Sequence, residues 1–106
     1  MIDGVFCDIN AAVDRELERA RAEYGQRYAS IHEAYGVLME EMHEAQAEIR
    51  DLDDYAAALI GVIHREDRRA LFAELDVMGS RAIQAACELV QVAAVCRKAM
   101  EGIGDG

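Results

Sequence analysis

An all-α fold is predicted by three features of the sequence. Proline is absent, the three-residue turn clusters that punctuate β proteins are missing, and Ala, Glu, Leu, Arg, Met and Gln, all good helix formers, are abundant. At 106 residues the chain fits one domain spanning 1–106, in which most apolar side chains share a single core. No internal repeat, low-complexity tract or linker divides it.

The first helix is expected from about Asp8 to Tyr28, with Ile9, Val13, Leu17, Ala20 and Tyr24 on one face and Asp8 or Asn10 placed to cap its start. A second follows from Ser30, a plausible cap, to about residue 51. Its seam, Ile31, Tyr35, Leu38, Met42, Ala45, Ile49 and Leu52, alternates spacings of four and three and is the clearest periodic signal in the chain. Asp51, Asp53 and Asp54 suggest a break and a fresh start, because acids favour a helix N-terminus. A third helix is then expected over 54–64, an exposed turn at His64 to Arg69, and a short helix near 67–78. Gly79-Ser80 marks a boundary or a weak point before a last helix over 80–101, since Gly within a helix costs about 1 kcal/mol relative to Ala. The glycine-rich tail 102–106 is expected to fray. These elements predict a four-helix bundle whose core is completed by a second copy, as a homodimer or a dimer of dimers, because the last helix is apolar around most of its circumference.

Charge and leader content narrow the function. Twenty-one acidic against eleven basic residues give a formal charge of -10, which disfavours nucleic acid and anionic membranes as partners and favours cations. The run 82–96 is too short to span a bilayer and carries Gln84, Glu88 and Gln91. The start MIDGVFCDIN reads as neither a secretory nor a transit signal, so the expected location is the cytoplasm, with Cys7, Cys87 and Cys96 reduced.

The segment 82–96, AIQAACELVQVAAVC, has twelve apolar and three polar residues. Positions 84, 88 and 91 fall within an arc of about 60° at 100° per residue, a single polar stripe that extends past Val95 to Lys98. A helix apolar nearly all round is normally buried, and a buried carboxylate needs a partner, a metal or a proton. Two readings of Glu88 follow: in the first the stripe is only a narrow solvated edge or Glu88 meets an arginine, and in the second it lines a functional polar site inside the bundle. In helix two, Glu41, Glu44 and Glu48 also share about 60° and adjoin the apolar seam, with Glu40 farther from it. Carboxylates gathered together repel and raise one another's pKa unless a cation neutralises them. Magnesium, a hard ion that takes oxygen ligands and bridges to phosphates, suits such a set, with manganese as the alternative. Zinc does not, because no Cys/His cluster has its ligand spacing.

Glu40-Glu41-Met42-His43-Glu44 has the form EExxE and is followed on a later helix by Glu88-Leu89-Val90-Gln91. In this order the motifs resemble those of the MazG-like all-α nucleoside triphosphate pyrophosphohydrolases, EExxE then ExxD, and HEAYGVLMEEMHEAQAEI with AIQAACELVQVAAVCRKAM most resembles their small phage and prophage members. The resemblance covers about 30–101. It implies that the acids bind magnesium, which holds a nucleoside triphosphate while water attacks the α–β linkage and pyrophosphate leaves. Carried over by position, Glu41, Glu44, Glu88 and Gln91 are the implied metal set and Glu40 with Glu41 the implied catalytic acids, Glu40 as an outer-shell or base-supporting residue; apart from the resemblance, Lys98 is placed by its position along the polar stripe to counter phosphate charge, and Glu48 and Gln84 are additional candidates. Two positions depart from the family pattern. Gln91 stands where the family has Asp, an amide oxygen that ligates a metal but brings no charge, and the motifs lie farther apart. A noncatalytic nucleotide-binding or protein-interaction bundle with a degenerate metal site is the alternative.

Overall fold

The computed structural model describes residues 3–104, which form three helices: α1 (Asp3–Tyr24), α2 (Ile31–His64) and α3 (Arg68–Gly104). The helix starts and stops are chemically explicit. α1 ends where Gly25 takes φ +102°, a left-handed conformation that glycine adopts without a Cβ penalty, and its N–H donates to the Arg21 carbonyl at 2.9 Å. α1 therefore stops four residues short of the expected Tyr28 and starts five residues earlier than Asp8. Ser30 caps α2, its hydroxyl accepting from the Glu33 N–H at 3.1 Å. Asp67 does the same for α3, its carboxylate accepting from the Ala70 N–H at 3.0 Å.

Between α2 and α3 the chain reverses in three residues, with Glu66 at φ 54°. The two helices return antiparallel and together span most of a molecule measuring 60 × 29 × 25 Å. α3 is central: α1 and α2 both pack against it, and they do not pack against each other. α1 docks through Val13 and Leu17 on Ala94, with Val90 and Ala93 alongside. Arg97 anchors it by donating to Asp14 Oδ1 at 2.5 Å and to Asn10 Oδ1 at 2.6 Å, and Arg21 pairs with Glu101.

Several expected boundaries are corrected. α2 runs unbroken through Asp51, Asp53 and Asp54, because Leu52, Tyr55 and Val62 continue the partly buried stripe while the three acids are exposed and solvated. α3 likewise runs through Gly79 and Ser80, so 54–78 is not a separate hairpin but the far half of two long helices. An added Cβ at Gly79 would meet nothing within 4 Å, so no contact requires glycine there. Residues 102–104 of the tail are helical, and 105–106 lie outside the described residues. Among the described residues there are thus three helices, an all-helical fold in which α2 and α3 each replace two of the five expected helices.

The core keeps part of the expected seam, with Ala45 buried and Leu38, Met42 and Leu52 half-buried, and departs from it elsewhere. Ala34, Ala45 and Val62 are the buried residues of α2, whereas Ile31, Tyr35 and Ile49 are exposed. On α3 the buried positions are Ala85, Ala94 and Lys98, and Ile83, Leu89, Cys87 and Cys96 are exposed. Alanines at the contacts let the helix axes approach closely, and the bulkier side chains flank them. Beyond the end of α1, residues 52–83 of α2 and α3 form a two-helix arm that carries exposed Ile60, Ile63, Phe72, Leu75 and Val77, with Phe72 77% exposed. Among the described residues no helix is long and apolar enough to cross a membrane.

Candidate metal centre

Antiparallel pairing of α2 with α3 sets Glu41 and Glu44 opposite Glu88. One carboxylate oxygen from each of the three lies within 4.8 Å of the other two. Positions 41 and 44 are three residues apart and therefore neighbours on one helix face; only the return of α3 supplies the third acid. Gln91, one turn after Glu88, completes the group: with its amide turned to suit its neighbours, Nε2 donates to Glu41 Oε2 at 2.9 Å and to Glu88 Oε2 at 3.2 Å. Glu41, Glu88 and Gln91 are half-buried and Glu44 is exposed.

Crowding acids at the edge of a core changes their proton affinity. Burial pushes the Glu41 carboxyl above its ordinary range, and the charges of Glu44, Glu88, Glu16 and Glu40 add to the effect. Glu88 is raised by burial, then by a hydrogen bond shared with Glu44, then by the charges of Glu44 and Glu48. Both shifts favour the protonated form when no cation is bound. The two arginines that the sequence offers to Glu88 are engaged elsewhere: Arg81 lies 3.9 Å from Glu48, and Arg97 pairs with Asp14 of α1. Three carboxylates with no Cys or His in the group match a hard divalent ion such as magnesium or manganese and do not match zinc.

The other candidates divide. Glu40 is exposed, beside the cluster but outside it, and Gln84 is exposed one turn from Glu88. Glu48 is one turn from Glu44; its Oε2 is buried without a hydrogen-bond partner, and Arg81 is its nearest cation. Lys98 stands apart from the acids. It is 3% exposed, and its ammonium sits 4.3 Å from the centre of the Tyr28 ring. A cation–π contact is worth about 0.5–2 kcal/mol, whereas burying an ammonium costs several kcal/mol. The ring therefore offsets only part of that cost.

No family model, curated protein or solved structure matches the chain.

Residues outside the 30–101 segment also border the site. Between α1 and α2, over α3, a cleft of about 260 Å³ is lined by Glu16, Arg19, Tyr24, Val37, Glu41 and Gln91, among others. An adjoining cleft of about 340 Å³ shares Glu16, Arg19 and Gln91 and adds Arg15 and Cys87. Because α1 and α2 do not pack together, the groove between them stays open beside the acids. Arg19 pairs with Glu16 and Glu23 on its own helix. From sequence, Arg15, Glu16 and Arg19 read as the charged side of an amphipathic helix, and their spacing carries no hint that α1 docks next to Glu41.

Proposed function

We propose that the protein is a magnesium-dependent nucleoside triphosphate pyrophosphohydrolase, converting an NTP or dNTP to its monophosphate and pyrophosphate. The convergence of Glu41, Glu44 and Glu88 within 4.8 Å across two helices carries this reading. These three carboxylates would hold the ion, with the Gln91 amide rotated to present its oxygen. Bound there, magnesium would polarise the phosphates and offset charge in the transition state. Glu41 takes the proton of the attacking water, and solvent-exposed Glu40 beside it passes that proton out. The open groove at Glu41 and Gln91 receives the nucleotide, with Arg15 and Arg19 on its α1 wall as cationic partners for phosphate.

A second reading has its own observation. The Gln91 amide already bridges Glu41 and Glu88, as a neutral donor in the place of a cation, and this favours a noncatalytic bundle that binds nucleotide or protein without turnover. Pyrophosphate release from a panel of NTPs and dNTPs with magnesium decides the matter. Turnover that is lost in Glu41→Gln and Glu88→Gln supports the enzyme; no turnover with any substrate, or turnover indifferent to both substitutions, refutes it. Calorimetry with magnesium and a nonhydrolysable nucleotide then distinguishes a binding module from an interaction module.

The active form is proposed to be a homodimer, or a dimer of dimers, in which the 52–83 arms of two copies pack into a four-helix bundle of the MazG-like type. The exposed Ile60, Ile63, Phe72 and Leu75 support this. So does the radius of gyration of 17.9 Å, against about 13 Å for a compact chain of this length.

A further inference from the structure

At the N-terminal end of α2 the chain forms a recess of about 180 Å³, lined by Tyr28, Ser30, Ile31, Ala34, Lys98 and Gly102, among others. Two independent features of this recess call for an anion. The first is Lys98, 3% exposed, whose ammonium faces the Tyr28 ring and makes no hydrogen bond or ion pair among the described residues. The second is the helix terminus itself. Of the first four amides of α2, that of Glu33 donates to Ser30 Oγ and that of Ala34 to the Ser30 carbonyl. Those of Ile31 and His32 are left for a ligand at the positive end of the helix dipole.

We infer that this recess is a phosphate-binding site, formed by the Lys98 ammonium and the Ile31 and His32 amides. The ammonium of a lysine only 3% exposed and N–H groups left over at a helix N-terminus suit a compact oxyanion, with the Tyr28 ring covering one side of the lysine. The recess is distinct from the carboxylate cluster but within reach of its field: burial, then the charges of Glu41 and Glu33, push the Tyr28 hydroxyl above its ordinary range. Lys98 lies seven residues beyond Gln91 and ten beyond Glu88 on one helix, roughly 10 and 15 Å at about 1.5 Å per residue. The site does not depend on the pyrophosphohydrolase reading. Its phosphate comes either free from solution or as part of a nucleotide that lies along the groove.

The test is titration of inorganic phosphate at constant ionic strength into the ¹⁵N-labelled full chain, with the amide resonances of Ile31 and His32 as the readout. Saturable shifts at these two amides are expected. They should weaken about tenfold or more in Lys98→Met, the fold-change for losing one charge-assisted hydrogen bond. Gly102→Glu is a second variant, because a Cβ at Gly102 meets nothing within 4 Å and the new carboxylate repels the anion without entering the core. Glu88→Gln leaves the phosphate response intact, so failure of the metal centre and failure of the recess are told apart. If free phosphate is silent but magnesium with a nonhydrolysable triphosphate shifts the same amides in a Lys98-dependent way, the phosphate belongs to the nucleotide. Silence in both arms, or shifts unchanged in both Lys98→Met and Gly102→Glu, overturns the assignment.

Discussion

Glu88→Gln tests the carboxylate cluster most directly, because the sign of its effect on stability depends on whether metal is present. In metal-free protein at pH 7, Glu88 faces Glu41 and Glu44 with oxygens within 4.8 Å. Two unit charges at 4.8 Å repel by about 0.9 kcal/mol in bulk water and about 3.5 kcal/mol at an effective dielectric of 20. Glu44 is exposed and Glu41 only half-buried, so screening brings the sum over both pairs to about 1–3 kcal/mol. The glutamine preserves the local hydrogen bonds, since its carbonyl accepts from Gln91 and its amide donates to Glu44. In EDTA at neutral pH the variant should therefore be more stable than the parent, by about 4 °C or more in Tm for a domain of this size. The pH dependence has a definite sign. Folded-state values of Glu41 and Glu88 are raised above the ordinary carboxylate value, so their contribution is fully favourable below about pH 4 and is lost as pH rises through the raised values. The advantage of Glu88→Gln should accordingly vanish at low pH. Magnesium reverses the order: at 100 times its Kd it stabilises the parent by about 2.7 kcal/mol, and the variant gains much less. Circular-dichroism melts at two pH values, with EDTA and with magnesium, measure all of this. A Glu88→Gln variant that is less stable in EDTA at pH 7, together with equal stabilisation of both proteins by magnesium, would refute a shared cation site.

Two further substitutions address the rest of the molecule. Gln91→Asp adds a fourth negative charge where the amide now bridges Glu41 and Glu88. It should tighten magnesium binding measured by calorimetry, raise any pyrophosphate release, and lower the metal-free Tm; unchanged affinity would show that position 91 does not face the ion. Phe72→Glu places a charge on the most exposed apolar side chain of the arm. Sedimentation equilibrium should then shift from dimer to monomer at micromolar concentration with helicity retained, whereas a parent that is monomeric at that concentration would remove the case for the arm as an interface.

Much of the fold was legible because helix propensity and capping are local. The absence of proline, the cap at Ser30 and the turn near residues 64–69 required no knowledge of neighbours. Interruptions were less legible. Asp51 to Asp54 and Gly79-Ser80 carry local signals for helix ends, yet each costs little when solvent-exposed, and packing along the antiparallel partner carries both helices through. The seam was legible in part: its Ala45 is buried and its Leu38, Met42 and Leu52 are half-buried, whereas Ile31, Tyr35 and Ile49 are exposed and Ala34, outside the seam, is buried. Heptad spacing marks the apolar face of a helix, and the partner helix decides which of its positions are covered.

At the site, the sequence by itself determined which polar residues share a helix face, since Glu41 with Glu44 and Glu88 with Gln91 follow from 3.6 residues per turn. Only the tertiary structure decided that the two faces meet, that Glu48 is drawn toward Arg81, that Lys98 is buried against Tyr28, and that α1 brings Glu16 and Arg19 to the groove. The physical reason is that a helix sets the angles and rise of its own side chains, whereas the register between helices is set by the turn that joins them and by the interlocking of side chains from distant parts of the chain.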